Sequence, residues 1–488
     1  MKKPNIILII MDAARVKNFS CYGYTKKTTP NIDKIASEGT LYENAISAAP
    51  WTLPSHASIF TGLYPSEHNT HSRHAFLDPK YPTIAENLTQ LGYTTVGFSN
   101  NPYVSAFYGL SRGFNEFELI GLDKRFFKNN TLDIQSFLRN SSCRGIKRYL
   151  EFIKAILHEG NPLKNIFNVI YIKFQNNKIK RFLGDDGAHI TNKKIKSWIK
   201  RNYNNMPFFI FVNYIECHVP YSPPFEYRKN KLTFWRDLRI NQDSNGYNFK
   251  QFKLSDKEFK ILESLYDAEL EYLDHRIGEI YRFLSEEGIL DDTVIIITSD
   301  HGENIGDHGL FGHILSVHDT VVHVPLIIRY PEIFPAGKRV KQRVQSHDIF
   351  KTIMDIVDKN NDIKGHSLLV ESIENNPDRI IISELMGLNV AVDLSKAQEK
   401  YPDVDVYAYD FGLKAVYLDK YKYIKHLDNG QNELYILSED PDERKNVIKE
   451  HPDLAKILDE TISKWVEDIE HKENIKSKIK ELKRSGRI

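Results

Sequence analysis

The 488-residue chain has little cysteine: only Cys21, Cys143 and Cys217. They are odd in number and far apart, so they support neither a disulfide framework nor a cysteine-ligated zinc site. A reducing compartment fits such usage. Net charge is nearly absent as well. Sixty-six Lys and Arg against 65 Asp and Glu leave +1, so no whole-molecule attraction to nucleic acid or to an anionic membrane is expected. No apolar run approaches the ~18 residues of a membrane span. The start, MKKPNIILIIMDAAR, has a basic beginning, but its apolar part, Ile6 to Met11, is short and is followed by Asp12. With no small-residue cleavage site, it reads as a buried strand rather than a signal peptide. Internal repeats and low-complexity segments are missing too. These absences lead to the expectation of a soluble, cytoplasmic protein that requires neither nucleic acid nor a membrane.

What remains is ordinary globular composition, 41% hydrophobic and 27% charged, at a length that suggests two or more structural units. Five continuous apolar runs read as central strands: IILII (6–10), TTVGFS (94–99), FFIFVNY (208–214), TVIIITS (293–299) and VPLIIRY (324–330). Continuous rather than alternating hydrophobicity is expected of parallel strands covered on both faces. Helical patterns separate them: NIDKIASEG (31–39), PTIAENLTQLG (82–92) and a long amphipathic stretch over 257–288, each stopped by glycine. The alternation predicts an α/β fold with a mostly parallel central sheet flanked by helices. This unit is expected over 1–375. Over 121–200, basic residues outnumber acidic ones about threefold, which predicts an inserted helical region at about 121–185. It reads either as a solvated helical lid or as a surface for an acidic partner or anionic substrate. After residue 375 the pattern changes. LKAVYLDKYKYIKHL (413–427) reads as a hairpin turning at Asp419, and ELYIL as a further strand before a charged helical tail. A smaller C-terminal α+β subdomain, 376–488, with antiparallel strands and a terminal helix is expected.

Active sites of open α/β sheets lie at the carboxyl ends of the strands. The first strand ends at Asp12, and the strand TVIIITS ends at Asp300–His301. Two carboxylates and an imidazole at one sheet edge suit a divalent cation; either Asp alone could equally be a helix N-cap. Between YENAIS, another strand, and the helical ASIFTG lies APWTLPSH, a turn that presents Thr52, Ser55 and His56 at a helix N-terminus. Such a terminus is an anion site. A hydroxyl there beside a metal becomes a nucleophile, although local sequence leaves Thr52 and Ser55 level, and both could merely cap the helix. His218 follows another strand end, and His308 and His313 lie in the glycine-rich GDHGLFGH. They are candidates to bind anion oxygens or to protonate a leaving oxygen. His318, His323 and His347 have weaker claims.

The ordered pieces PNIILIIMDAAR, TPNIDKIASEGTLYENA, TLPSHASIFTGLYP, PFFIFVNYIECHVPYSPP, TVIIITSDHGENIGDHGLFGH, HVPLIIRYP and YKYIKHLDNGQNELYILSEDPDERKNV resemble the sulfatase family of the alkaline-phosphatase superfamily. The resemblance runs from residue 4 to about 465. It implies a metal held by the first Asp and by the later Asp–His pair. It also implies a turn Cys/Ser-x-Pro-x-Arg whose first residue matures to formylglycine, the hydrated aldehyde that attacks sulfate esters. Here Thr52 stands at the modified position and His56 at the arginine. Oxidised threonine would be a ketone, so no formylglycine is expected. Several superfamily phosphotransferases and phosphodiesterases resemble this turn in using threonine directly. Ala13 replaces a second Asp, and His313 replaces the lysine of the glycine loop. GFSNNP stands where Lys and Trp-His pieces are common, leaving Asn100 as a candidate donor to an anion.

The resulting expectation has five parts. One divalent cation (Mn, Mg, Zn or Ca) is held by Asp12, Asp300, His301 and Thr52; a second metal has no full ligand set. Thr52 attacks in line. His56, Asn100 and helix N–H groups stabilise the transferred group, with His308 as a further substrate contact. His218 or His313 protonates the leaving oxygen. Phosphoric esters or diesters are preferred to sulfuric esters, on a small-molecule, glycan-linked or lipid-linked substrate. A non-catalytic binding protein on the same fold is the reading of another class; loss of part of the metal triad would mark it, and all three residues are present.

Overall fold

The run Asn5–Met11 offers no polar face beyond its first residue, and in the computed structural model it becomes the buried centre of a sheet. The structure describes residues 3–120, 132, 145–174, 185–203, 207–229, 237, 239–370, 373, 379–388, 394–428 and 431–484. The strands of the main sheet are β1 (Asn5–Met11), β2 (Thr40–Ile46), β3 (Thr94–Ser99), β4 (Glu116–Leu119), β5 (Phe208–Tyr214) and β6 (Thr293–Thr298). A two-stranded hairpin, β7 (Asn304–Ile305) and β8 (Phe311–Gly312), follows β6. The sheet is completed by β9 (His323–Val324), β10 (Leu326–Arg329) and β11 (Lys338–Gln345). Its order is β11-β2-β10-β6-β1-β5-β3-β4, with β9 beside β2.

The neighbours β6, β1, β5, β3 and β4 run parallel. β10, expected among the parallel strands, runs antiparallel to both β6 and β2. Its continuous apolar pattern reports burial on both faces, which a central antiparallel strand shares, and says nothing of direction. The two faces are read directly from the register of β1. Ile6, Leu8 and Ile10 pack with Leu53, Ala57 and Phe60 of the helix Thr52–Thr61. Ile7, Ile9 and Met11 pack with Leu262, Leu273 and Ile277 of the helix Asp256–Glu286. That helix starts where its sequence dictates. Ser255 accepts the Glu258 N–H, and the Glu258 carboxylate answers the Ser255 N–H, a reciprocal cap.

A second sheet joins β12 (Ile381–Met386), β13 (Gly412–Leu418), β14 (Tyr421–His426) and β15 (Glu433–Ile436), all antiparallel. The hairpin turns at Asp419, which takes a positive φ of 52°. The helix Pro452–Arg484 packs Leu458 and Ile462 against Val416 and Tyr423 of this sheet. β12 also reaches back to the main sheet: the Glu384 N–H donates to Ala48 O (2.9 Å), and its side chain accepts the Ser66 N–H (3.0 Å). Of the expected basic insert, the helices Gly145–His158 and Pro162–Phe174 are described; most of the rest of 121–185, with Cys143, lies outside the described residues. No helix among the described residues is long and apolar enough to cross a membrane.

Gly39 joins the helix Pro30–Ser37 to β2 and crosses β10 in contact. A Cβ there would lie 2.4 Å from Ile328 O and 2.9 Å from Arg329 Cα, both main chain. Gly39→Ala is therefore expected to lower the unfolding free energy by about 1–3 kcal/mol, as read from urea unfolding of the two proteins side by side.

Candidate active site

Three parallel neighbours end at one place. β1 delivers Asp12, β6 delivers Asp300 and His301, and β5 ends through Asn213. Asp12 is buried and uses its two oxygens differently. Oδ2 accepts from Asn101 Nδ2 (2.7 Å) and Asn213 Nδ2 (3.3 Å), whereas Oδ1 has no partner. Asp300 repeats the division. Oδ1 accepts the N–H groups of Ala13 (3.2 Å) and His301 (2.9 Å), and Oδ2 has none. His301 donates from Nδ1 to Gly302 O (2.8 Å). That bond fixes the tautomer and leaves the Nε2 lone pair 3.5 Å from Asp300 Oδ2 and 3.9 Å from Asp12 Oδ1.

Two orphaned carboxylate oxygens beside an imidazole lone pair, all within 4.8 Å, are costly without a cation. Burial, and then the charge of Asp12, pushes the Asp300 carboxyl well above the carboxylate range. Burial and the nearby His313 push His301 well below the usual imidazole value, so it stays neutral, the form that ligates. The donor set therefore fits one divalent cation.

The helix Thr52–Thr61 brings the hydroxyls to this cluster. Its N-cap is Trp51, with no side-chain cap, and Pro54 carries no N–H. Thr52 Oγ1 lies 3.4 Å from His301 Nε2 and 3.4 Å from Asn101 Nδ2. Ser55, its rival in the sequence, is committed elsewhere. Its Oγ donates to Asp300 O (2.7 Å) and pairs with Ser47 Oγ (3.0 Å), so it braces the ligand strand. His56, one turn on, is buried with both nitrogens engaged: Nδ1 donates to Thr52 O (2.9 Å) and Nε2 accepts from Asn213 Nδ2 (3.3 Å). Its Nδ1 is also 3.5 Å from Asp300 Oδ2. Burial holds its pKa down at about 4, so at neutral pH it brings no charge.

The sequence model of the Sulfatase family matches residues 4–359. The chain belongs to the sulfatase family. Among relatives, this family member is 24% identical over 471 residues to an arylsulfatase of Clostridium perfringens, covering 91% of this chain and 90% of that one. It is 25% identical over 506 residues to arylsulfatase K of Bos taurus, covering 94% and 81%. Among solved structures, a phosphonate monoester hydrolase of Agrobacterium radiobacter superposes with a TM-score of 0.68 at 21% identity over 96% of each chain. The sulfatase fold thus extends over nearly the whole chain.

Against the family pattern, the remaining positions sort themselves by geometry. Asn100 is turned away from the cluster: its Oδ1 accepts from Thr191 Oγ1 (3.0 Å) and its Nδ2 donates to Asp186 O (3.3 Å). The next residue, Asn101, is the one on Thr52 and Asp12. Alternation beyond the end of β3 sends consecutive side chains to opposite sides, and the pair of asparagines hid which one faces the site. Ala13, at the position of a second Asp, takes a positive φ of 59° and offers its N–H to Asp300 in place of a carboxylate. His313 donates from Nδ1 to the buried Glu303 (2.8 Å), and its ring lies 4.1 Å from that of His301 and 5.0 Å from that of His218. These three histidines form one row. His308 is not in it; it stacks on His318 (3.8 Å) toward Glu433. Asn101, Asn213 and Glu303 were not singled out in the sequence, although Asn213 ends an apolar strand just as Asp12 follows one.

Beneath the helix Thr52–Thr61, the buried His68 accepts the Thr70 N–H at Nδ1 (3.0 Å) and donates from Nε2 to Ser58 Oγ (3.0 Å). Burial, and then the neighbouring His347 and His71, lower its pKa to about 3. The unfolded value is about 6.5, so the unfolded chain takes the proton first, and stability is lost as pH falls from 6.5 toward 3. His68→Gln is expected to remove about 2 kcal/mol of the loss between about pH 7 and pH 5, measured by denaturant unfolding at each pH. A chelator is expected to lower the melting temperature of the wild type, and Asp300→Asn to abolish that response, because a ligand bound only to the folded state stabilises it.

Proposed function

We propose that this chain cleaves or transfers phosphoric esters through attack by the Thr52 hydroxyl, with sulfuric esters as the alternative substrate. The observation that carries this reading is the position of Thr52 Oγ1 beside His301 Nε2 and Asn101 Nδ2, while Ser55 is held by Asp300 O. A divalent cation of the Mn, Mg, Zn or Ca type held by Asp12, Asp300 and His301 would supply Lewis acidity, lowering the pKa of a neighbouring hydroxyl and offsetting charge on the transferred group.

The chain's own residues do the rest. Asn101 orients the Thr52 hydroxyl and, through Asp12, ties it to the ligand cluster. The helix N-terminus, with no side-chain cap, offers N–H groups to the equatorial oxygens. His56 supports from beneath, holding the Thr52 carbonyl and Asn213. The bond from Thr52 Oγ1 to phosphorus forms as the bond to the leaving oxygen breaks. The proton that the Thr52 hydroxyl gives up is relayed to that oxygen through the ring nitrogens of the pair His218 and His313, the latter held at Nδ1 by Glu303. Water or an acceptor alcohol then attacks the phosphothreonine.

The preference for phosphorus follows from how such an intermediate is resolved. A hydrated aldehyde carries two hydroxyls on one carbon, so one can expel the group the other has taken up. A threonine ester lacks that exit and needs a second displacement at the transferred atom. Phosphoryl groups undergo such in-line displacement through positioning and electrostatics. The relatives and structural neighbours include both arylsulfatases and a phosphonate monoester hydrolase, which leaves both ester classes to be assayed.

The test is a panel of aryl sulfate, phosphate monoester, phosphodiester and phosphonate monoester substrates with Mn, Mg, Zn or Ca. Thr52→Ala is expected to lose about a thousandfold or more in kcat and Thr52→Ser to stay within about tenfold. Activity that survives Thr52→Ala removes the nucleophile assignment. Aryl-sulfate turnover without any phosphoester activity reverses the substrate preference. Metal binding without turnover of any ester supports a non-catalytic member of the fold.

A further inference from the structure

Over residues 162–169 the helix Pro162–Phe174 turns amides inward and several apolar side chains outward. It buries Asn165 (1% exposed) and Asn168 (0%), yet leaves Leu163 78% exposed and Ile166 and Phe167 exposed beside it. The buried amide is fully used. Asn165 Nδ2 donates to Ile156 O (3.0 Å) and Glu159 O (2.6 Å), and its Oδ1 accepts the Leu132 N–H (2.7 Å). It thereby satisfies the carbonyls at the end of the helix Gly145–His158, which packs Phe152, Ala155 and Ile156 inward with Val169. The same first helix turns Ile153 and Leu157, one turn apart, outward. Of the fourteen large apolar side chains exposed among the described residues, five lie between 153 and 167. Single exposed apolar residues need no explanation, but a concentration of this kind marks an interaction surface.

The charge of the segment indicates what covers it. Residues 121–185 hold 13 Lys and Arg against 5 acids, a net of +8. The remainder of the chain then holds 53 against 60, a net of −7, which the overall +1 conceals. The hairpin 145–174 itself holds five Lys and Arg against two acids, and an outward apolar face within a basic segment is the pattern of an element that lies on an anionic bilayer, apolar side chains at the acyl boundary and cations among the headgroups.

We propose that the hairpin 145–174 docks this protein on an anionic lipid surface. The docking is independent of which ester Thr52 attacks. Its location matters for access to the site. The segment leaves the main sheet where the Ile120 N–H meets Ser99 O (2.7 Å), and rejoins it where Asp186 O meets Asn100 Nδ2 (3.3 Å). Both roots adjoin Asn101, so docking tethers the catalytic edge of the sheet to the bilayer.

The test is co-sedimentation of the full chain with vesicles of phosphatidylcholine alone or with about one-third phosphatidylglycerol. Binding is expected to be at least about tenfold stronger to the anionic vesicles, to weaken in high salt, and to fall at least about tenfold in the double variant L163E/I166E. Leu163 is largely exposed, so Leu163→Trp should leave the fold intact, and its emission should shift to the blue on anionic vesicles. That second readout decides the matter if the double variant does not fold. Equal binding to both vesicle types, no binding, or binding unaffected by L163E/I166E overturns the proposal. So does a dimer in lipid-free solution that L163E/I166E dissociates while vesicle binding is absent, which would assign the face to a second copy of the chain.

Discussion

Asp12 and Asp300 are buried side by side, and each keeps one oxygen without a donor. Much of the surrounding structure can be understood as the means of holding these two charges in that unfavourable position. Each carboxylate is anchored by its other oxygen: Asp300 by two backbone N–H groups, Asp12 by two asparagine side chains. Ser47 and Ser55 hold the Asp300 carbonyl, and Ser299 hydrogen-bonds Met11 O, tying the end of β1 to the end of β6. A packed apolar sheet supplies the rigidity, since strand ends fixed on both faces cannot drift apart to let the like charges separate. The strained backbone of Ala13 belongs to the same arrangement, because its positive φ accompanies the N–H bond to Asp300.

Histidine, unusually, occupies the positions where the family pattern carries cations. His56 at the arginine and His313 at the lysine are both buried and both held to the neutral form by burial. The cluster around Thr52 therefore sets the carboxyl groups of Asp12 and Asp300 among neutral rings. A cation held by Asp12, Asp300 and His301 would bring positive charge to a cluster whose histidines bring none. Glu303 fits the same logic: it fixes the tautomer of His313 with one oxygen and accepts the Val219 N–H with the other.

Much of this was legible in the sequence because apolar strands announce where they end. Asp12, Asp300 and His301 each follow a continuous hydrophobic run, and so their meeting at one edge could be read from pattern alone. Thr52 could not be separated from Ser55 by local sequence; the family spacing chose it, and the hydrogen bonds of Ser55 supply the physical reason. Asn100 was the residue read as a donor, whereas Asn101 faces Thr52, since beyond β3 no hydrophobic alternation marks which side chain points inward. His308 looked like part of the site by proximity in sequence to His313, but the β7–β8 hairpin intervenes and sends it to His318 instead. The direction of β10 was likewise invisible, because burial on both faces is common to central strands of either sense.

The bond from the Glu384 N–H to Ala48 O joins the second sheet to the residues just before the helix Thr52–Thr61. Its consequence concerns order of synthesis. When the ribosome has released His301, all three residues of the candidate cation site have been made, but the strand that clasps the approach to Thr52 has not. Thr52 and the acidic cluster are thus synthesised before the strand that clasps the residues leading into their helix.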